Sequence, residues 1–421
     1  MLPNPLDLMA VFFGGAPKQV VVQVTNYCNA SCPQCGMRKT AGITRCRLGV
    51  PQLRKILDQC ARNGITAVSL TGGEPFIKPL EMLDLLDYAV HRGIRYLRSG
   101  TNGYMFAPEG RAAGVEEIEG FVKTLAATGI RNFWISLDSA DTQTHEAMRG
   151  LPGVVEGIRR ALPLFHARGL YPAANLGINR NLAGTPIPPL AGPPDVPRFF
   201  EALKAGFTAF FSKAVDMGFT MANVCYPMSS LQDGLAHEQP VYGAISNSPT
   251  VDFSPPELRL LFKALLEVIP RFRNRIRIFS PLSVLYALSR EEEGVLFPCL
   301  GGSAYFFIDC KDGRLYPCGY RGNEDLGEDL EKAIIQGRRY KPSCMKCFWE
   351  CFRDPSHLFG LARYMIRHPA LCFIKKQIDP PMMKLWFADI GYYIRNDFFN
   401  GRRPMKKPRG KPKAKLLAGL G

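Results

Sequence analysis

From the sequence of 421 residues we expect neither a membrane-spanning segment nor an export signal. No apolar run reaches the ~18–20 residues that a membrane-spanning helix needs. The first residues, Met1 to Lys18, lack the basic n-region of a signal peptide, so we expect no export. Hydrophobic residues make up 46% and charged residues 21% of the chain, which is the composition of a globular protein. We therefore expect a cytoplasmic location.

The first group of cysteines lacks a fourth member. Three thiols at x3 and x2 spacing follow a β-rich run from Val20 to Thr25, in the stretch Cys28-Asn29-Ala30-Ser31-Cys32-Pro33-Gln34-Cys35. Soft thiolates select iron–sulfur clusters or zinc. A structural zinc needs four protein ligands, whereas an iron left open can take a ligand from outside the protein. The 13 cysteines fall in tight groups, which indicates metal binding in a reducing compartment rather than disulfides.

Helical and strand-like patterns alternate along the first half of the chain. Amphipathic patterns predict helices at Val50 to Asn63, Pro79 to Arg92, Gly114 to Thr128, Val154 to Arg168 and Pro197 to Met217. Short apolar runs predict strands at Val20 to Thr25, Ala67 to Leu70, Ile94 to Arg98, Asn132 to Leu137, Tyr171 to Leu176 and Phe219 to Cys225. Such alternation is typical of βαβ units, so we predict an α/β fold with a parallel sheet.

Glycine and polar residues stand where the predicted strands end. Thr71-Gly72-Gly73-Glu74-Pro75 follows the second strand, Gly100-Thr101-Asn102-Gly103 the third, and Ile135-Ser136-Leu137-Asp138 closes the fourth. Ligand sites of parallel barrels form at these carboxyl ends. Glycines allow a close backbone approach, and a carboxylate accepts hydrogen bonds from an ammonium group. Alternatively, Asn102 and Asp138 cap the helices that follow them.

Together, the three-cysteine stretch, the Gly-Gly-Glu segment and the later strand ends resemble the radical S-adenosylmethionine (radical SAM) superfamily between about Val20 and Cys225. The resemblance implies a partial (β/α)6 TIM-like barrel with a small cysteine-rich C-terminal extension and terminal helices. It implies a [4Fe–4S] cluster on Cys28, Cys32 and Cys35, with SAM bound to the open iron. Reductive cleavage of SAM would then give a 5′-deoxyadenosyl radical that abstracts hydrogen from a substrate.

The resemblance also assigns the SAM-binding residues. Gly72, Gly73 and Glu74 match the motif that engages the methionine amine of SAM. Polar side chains at the next strand ends would line the SAM pocket, and the planar guanidinium of Arg149 suits the SAM carboxylate. The residues assigned to this pocket are Gly72, Gly73, Glu74, Asn102, Ser136, Asp138 and Arg149. One position departs from the family, because Gln34 stands where an aromatic residue usually precedes the third cysteine.

A second cysteine group follows near the C-terminus. Cys299 and Cys318 flank a predicted hairpin, Tyr305 to Ile308 and Leu315 to Tyr316, before the stretch Cys344-Met345-Lys346-Cys347-Phe348-Trp349-Glu350-Cys351. Four such thiols can close a structural zinc site or a second cluster. The pattern resembles the SPASM and twitch extensions of radical SAM enzymes, which implies an auxiliary [4Fe–4S] cluster. The candidate ligands are Cys299, Cys318 and two or three of Cys344, Cys347 and Cys351.

The remaining cysteines are interpreted as structural. Cys46, Cys60 and Cys225 fit buried apolar positions, as do Cys310 and Cys372, although the last two are alternative cluster ligands. The predicted organisation is an N-terminal segment at 1–18, the partial barrel at 19–280, the cysteine-rich module at 281–353, helices at 354–400 and a basic tail at 401–421.

The net charge of +16 is concentrated in part at the C-terminus, with seven basic residues between Arg402 and Lys413. Such a tail is expected to be disordered, and it either binds nothing or makes weak contact with a membrane surface or nucleic acid.

The sequence leaves two hypotheses. One is a radical SAM enzyme, served by a low-potential flavodoxin- or ferredoxin-like donor, that acts on a peptide, small metabolite or lipid. The other is a non-catalytic zinc or iron–sulfur protein that binds RNA or membrane.

Overall fold

The computed structural model describes residues 18–39, 44–108, 114–229, 239–290, 297–339, 343–345, 347–367 and 379–406. The strands are β1 (Gln19–Thr25), β2 (Ala67–Gly72), β3 (Tyr96–Thr101), β4 (Asn132–Ser136), β5 (Ala173–Gly177), β6 (Met221–Cys225), β7 (Arg277–Ile278), β8 (Tyr305–Ile308) and β9 (Leu315–Tyr316). The first eight helices are α1 (Gly36–Lys39), α2 (Val50–Arg62), α3 (Pro79–His91), α4 (Val115–Ala127), α5 (Thr142–Arg149), α6 (Val154–Ala167), α7 (Val196–Met217) and α8 (Pro255–Phe272). They are followed by α9 (Leu282–Leu288), α10 (Leu330–Arg339), α11 (Glu350–Arg367) and α12 (Pro380–Arg395).

The strands form one open sheet in the order β7-β6-β5-β4-β3-β2-β1-β8-β9. All neighbours pair in parallel except β8 and β9, which form the predicted antiparallel hairpin. The sheet is not closed, so the partial α/β barrel is confirmed. The sheet continues beyond the six predicted strands at both edges. Strand β7 pairs with β6 at one edge, and β8 pairs in parallel with β1 at the other, where Gln19 is opposite Tyr305. The cysteine-rich extension therefore continues the barrel sheet.

The main core lies between the outer face of the sheet and the helices. Alternate residues of β1 to β6 pack there, including Val22, Leu70, Phe133 and Leu176. Between a helix and the next strand, Gly64, Gly93, Gly129 and Gly169 have positive φ values, the left-handed conformation in which helices commonly end. The opposite face of the sheet, toward the barrel interior, is less completely buried along β4, β5 and β6.

The aromatic C-terminal helix packs against the barrel. Tyr392 and Phe399 are buried with Ala173 and Met221, and the Trp386 indole Nε1 donates a hydrogen bond to the Leu358 carbonyl oxygen at 3.0 Å. Phe387 remains 60% exposed. Within the described ranges, no helix is both long and apolar enough to cross a lipid bilayer. Cys372 and most of the predicted basic tail lie outside the described residues.

Candidate active site

The three N-terminal cysteines lie in the loop between β1 and α1. Cys32 is buried, and Cys28 and Cys35 are half-buried. Burial raises the pKa of Cys32 to about 11 and that of Cys35 to about 12, and the neighbouring thiols in this group contribute to both rises. Three thiolates so close together repel one another, so their ionised forms need a positively charged group for compensation.

Gly72 and Gly73 hold this loop against the end of β2. The Gly73 amide donates to the Thr25 carbonyl oxygen, and the Glu74 amide donates to that of Tyr27, both at 2.8 Å. A Cβ atom on Gly73 would lie 2.1 Å from the Tyr27 carbonyl oxygen, and one on Gly72 would lie 2.4 Å from that of Thr25. Only glycine fits this approach, so both residues determine where the cysteine loop lies.

The Glu74 carboxylate ties the ends of β2 and β3 together. It is fully buried and accepts hydrogen bonds from the Asn102 amide at 2.7 Å and the Phe76 amide at 3.0 Å. Burial raises the pKa of Glu74 to about 7. The Asn102 side-chain Nδ2 donates to the Asn29 Oδ1 at 2.8 Å and lies 3.7 Å from the Cys28 sulfur. Glu74 and Asn102 thus position the cysteine loop directly.

Asp138 is the centre of a buried polar network beside the loop. Its Oδ2 accepts hydrogen bonds from Arg149 Nη2 at 2.5 Å and Gln34 Nε2 at 2.7 Å, and its Oδ1 accepts one from the Gly177 amide at 3.2 Å. Helix α5 is capped instead by the Asp141 side chain, which accepts from the Thr144 amide at 2.8 Å. The capping alternative for Asp138 is therefore wrong.

Arg149 and Gln34 each keep one polar atom without a partner. Arg149 Nε and Gln34 Oε1 are both buried and make no hydrogen bond. The Arg149 backbone oxygen accepts from the Ser31 amide at 2.8 Å, which fixes this side chain close to the cysteine loop. One free donor and one free acceptor suit the carboxylate and amine of an amino acid. Ser136, at the end of β4, is half-buried on the inner face.

The donor set fits the cofactors that the sequence predicts. In the described part of the chain, no three His, Cys, Asp or Glu side chains are arranged around a single metal ion. Thiols that bind separate irons of one cluster do not converge on one point, whereas zinc ligands do. The three thiols fit a [4Fe–4S] cluster, and the unpartnered atoms of Arg149 and Gln34 fit SAM beside it.

The structure separates Cys351 from the other C-terminal cysteines. The Cys299 amide donates to the Cys344 carbonyl oxygen at 2.9 Å. Beyond burial, the pKa of Cys347 is raised by Cys299 and Cys344, and that of Cys318 by Cys347 and Cys299. Cys351 instead donates to Glu350 Oε1 at 3.5 Å. Four thiols thus share one environment, and Cys351 faces another.

Several residues near these sites were not predicted. The Tyr242 hydroxyl lies 3.3 Å from Thr71 Oγ1 at the end of β2. The sulfur atoms of Cys46 and Cys310 lie 2.8 Å apart, which joins the segment after the cysteine loop to the β8–β9 hairpin. Arg98 on β3 faces Glu350 and Cys351. A charged residue within a predicted buried strand is the one signal that could have identified Arg98.

Comparisons with known proteins agree with this geometry. A sequence profile described as Radical SAM superfamily matches residues 22–179. The AdoMet-dependent heme synthase of Methanosarcina barkeri is 28% identical over 141 residues, 34% of this chain and 37% of the relative. The mycofactocin maturase MftC of Mycobacterium tuberculosis is 30% identical over 156 residues, 37% of this chain and 36% of the relative. The chain thus spans less than half the length of these two curated relatives.

A solved structure shows that the similarity extends to the fold. The structure of native anSMEcpe with bound AdoMet is matched with a TM-score of 0.51 and 14% identity, over 86% of this chain and 100% of that chain. At this identity the match concerns the fold alone. Together, the profile match, the cysteine loop and the parallel sheet lead to one conclusion: the chain contains a radical SAM domain, matched at residues 22–179.

Proposed function

We propose that this protein is a radical SAM enzyme whose substrate binds inside the barrel. The observation that carries the proposal is the loop of three thiols, held by Gly73 and Glu74 beside unpartnered atoms of Arg149 and Gln34. When bound, the cluster and SAM supply reductive cleavage to methionine and a 5′-deoxyadenosyl radical, which abstracts hydrogen from a substrate.

The protein's own residues hold and orient these groups. Cys28, Cys32 and Cys35 would ligate the cluster and leave one iron for SAM. Arg149 Nε and Gln34 Oε1 would bind the carboxylate and the amine of SAM, while Asp138 keeps both side chains in place through two short hydrogen bonds. The pKa of the buried His145 is lowered to about 3, mainly by burial and further by Arg149. Its ring is therefore neutral, and Nδ1 accepts a hydrogen bond from the Asp138 amide.

The second cysteine group would hold one auxiliary cluster. Cys299, Cys318, Cys344 and Cys347 share one environment, which supports a SPASM- or twitch-like site with four protein ligands. Such a closed site is suited to electron relay or structural support rather than to direct binding of an exchangeable ligand. The matched relatives carry different names, a heme synthase, a maturase and a GTP cyclase, so they do not select one substrate.

The decisive experiment is anaerobic reconstitution with iron and sulfide, followed by an assay for 5′-deoxyadenosine in the presence of SAM and dithionite. We expect the wild-type protein to form 5′-deoxyadenosine and Cys32→Ala to form none. Cys60→Ala is the matched control, because Cys60 is a buried thiol of α2 within the main core. A reconstituted wild-type protein without 5′-deoxyadenosine would favour the non-catalytic metal-binding alternative.

A further inference from the structure

The barrel interior carries polar side chains that the proposed SAM site does not use. Along β4, β5 and β6, buried residues alternate with residues that keep accessible surface. The accessible residues alternate with residues of the main core, which pack against the helices, so the accessible ones face inward. These core residues are Phe133, Ile135, Ala174, Leu176, Ala222 and Val224. Among these inward residues are Asn175, Asn223 and Cys225. All three are half-buried and keep part of their accessible surface.

The start of α11 faces these strands. Cys351 donates a hydrogen bond to Glu350 Oε1 at 3.5 Å, and the Glu350 carboxyl and the Cys225 thiol are neighbours. The Cys225 sulfur lies 3.4 Å from Asn175 Oδ1, which Asn223 Nδ2 contacts at 2.8 Å. The cysteine-rich extension therefore contributes two side chains to the interior of the barrel.

Two charged side chains in this interior have unpartnered atoms. Arg98 Nε and Nη2 are buried without a hydrogen bond, and so is Glu350 Oε2 on a residue that is 7% exposed. Cys351 and Glu350 are the ionisable groups near Arg98, yet no ion pair within 4.0 Å links Arg98 to Glu350 among the described residues. Unsatisfied buried donors of a charged group are costly, so a ligand is expected to satisfy them.

The free atoms of Arg98 indicate the chemistry of that ligand. Nε and Nη2 form the side edge of the guanidinium, which presents two parallel N–H groups to a carboxylate. We propose that Arg98 binds a carboxylate of the substrate inside the barrel and that Glu350 accepts a hydrogen bond from a neighbouring N–H of the same molecule. An N-acylated amino acid or a peptide C-terminus has this combination. The inference rests on the proposed function, because it takes the barrel interior as the substrate site.

The proposed carboxylate site is distinct from the proposed SAM site. The ionisable groups near Arg149 include Cys28 and Cys32, whereas those near Arg98 are Cys351 and Glu350. Arg149 thus lies beside the cysteine loop, and Arg98 lies beside Cys351 and Glu350 in the barrel interior.

The test compares two probes that differ only in the carboxylate. Binding of N-acetyl-phenylalanine and of its C-terminal amide to the reconstituted protein is measured by ligand-observed NMR under anaerobic conditions. We expect the carboxylate to bind at least tenfold more tightly, and Arg98→Gln to remove that preference. Arg98→Lys keeps the positive charge but lacks the two parallel N–H donors, so it should retain part of the preference for the carboxylate. Arg95→Gln is the matched control, because Arg95 is exposed just before β3.

The proposal is overturned if each probe binds to Arg98→Gln with the same affinity as to the wild type. It is also overturned if neither probe binds to the wild type in the millimolar range. Displacement of the probe by inorganic phosphate at lower concentrations than by acetate would assign the site to phosphate instead. Loss of substrate-free SAM cleavage in Arg98→Lys would place Arg98 in the SAM site and also overturn the proposal. If the wild type selects the carboxylate but forms no 5′-deoxyadenosine, the proposed function fails and the carboxylate site stands.

Discussion

The two cysteine groups of this protein are built in opposite ways. The N-terminal group has three thiols in a loop that backbone hydrogen bonds fasten to strand ends, beside the charged network of Asp138 and Arg149. The C-terminal group brings four thiols together among aromatic residues such as Tyr305, Tyr320 and Trp349. A site with three protein ligands and unpartnered polar atoms is suited to an exchangeable ligand, whereas four ligands in an apolar setting close a site.

The largest expected effect comes from the glycine that holds the open site. Gly73→Ala would bring a Cβ to 2.1 Å from the Tyr27 carbonyl oxygen and push the cysteine loop away from β2. We expect a loss of at least tenfold in 5′-deoxyadenosine formation, with reduced iron content. The control is Gly120→Ala, because Gly120 lies within α4, has no positive φ and has no atom within 4 Å of the added Cβ. Equal effects of both substitutions would contradict the proposed role of Gly73.

The second prediction separates the closed site from Cys351. Cys318→Ala should lower the iron content from about eight to about four per chain, because it removes a ligand of the auxiliary cluster while the N-terminal cluster remains. Cys351→Ala should retain the full iron content, since its thiol faces Glu350 rather than the other four cysteines. Iron and sulfide analysis after anaerobic reconstitution measures both. Equal iron losses in the two variants would make Cys351 a ligand.

The third prediction concerns the charged network of the open site. Asp138→Asn removes the anion that holds Arg149 and Gln34, so we expect SAM cleavage to fall roughly 10–100-fold while the iron content stays unchanged. Asp141→Asn is the matched control, because asparagine is also a good helix cap and Asp141 serves only as the cap of α5. If Asp138→Asn cleaved SAM at the wild-type rate, the network would have no part in SAM binding.

The smallest expected effect concerns stability in the extension. Burial lowers the pKa of His357 to about 3, and its two ring nitrogens have no partner. The unfolded chain then binds more protons than the folded one, so the contribution of His357 is present above about pH 6.5 and is lost as pH falls. Between pH 6.5 and 5 we expect a loss of about 2 kcal/mol from this residue.

His357→Leu should remove this part of the pH dependence without changing SAM cleavage. The measurement is chemical denaturation of the wild type and the variant at pH 7.5 and pH 5. A variant that keeps the full wild-type loss of stability between the two pH values would show that the effect arises elsewhere.

The sequence predicted the repeating part of the fold to within a few residues. Helices α2, α3, α4 and α6 lie almost where their amphipathic patterns place them. It did not predict that β8 pairs in parallel with β1. The apolar pattern of Tyr305 to Ile308 is compatible both with a strand of an isolated hairpin and with a strand of the barrel sheet, so the pattern does not distinguish the two. The pairing of strands almost 300 residues apart depends on tertiary packing rather than on local pattern.

The sequence alone determined the spacing of the three N-terminal thiols, the glycines that let them approach β2 and the polar residues at the strand ends. These are local properties, because parallel strands bring their carboxyl ends to one edge whatever else the chain does. The tertiary structure decided which distant side chains meet. Cys347 precedes α11 and Cys351 lies in its first turn, so a separation of four residues directs one thiol toward Cys299 and Cys344 and the other to Glu350. Arg98 and Glu350 are brought together only when the extension packs into the barrel.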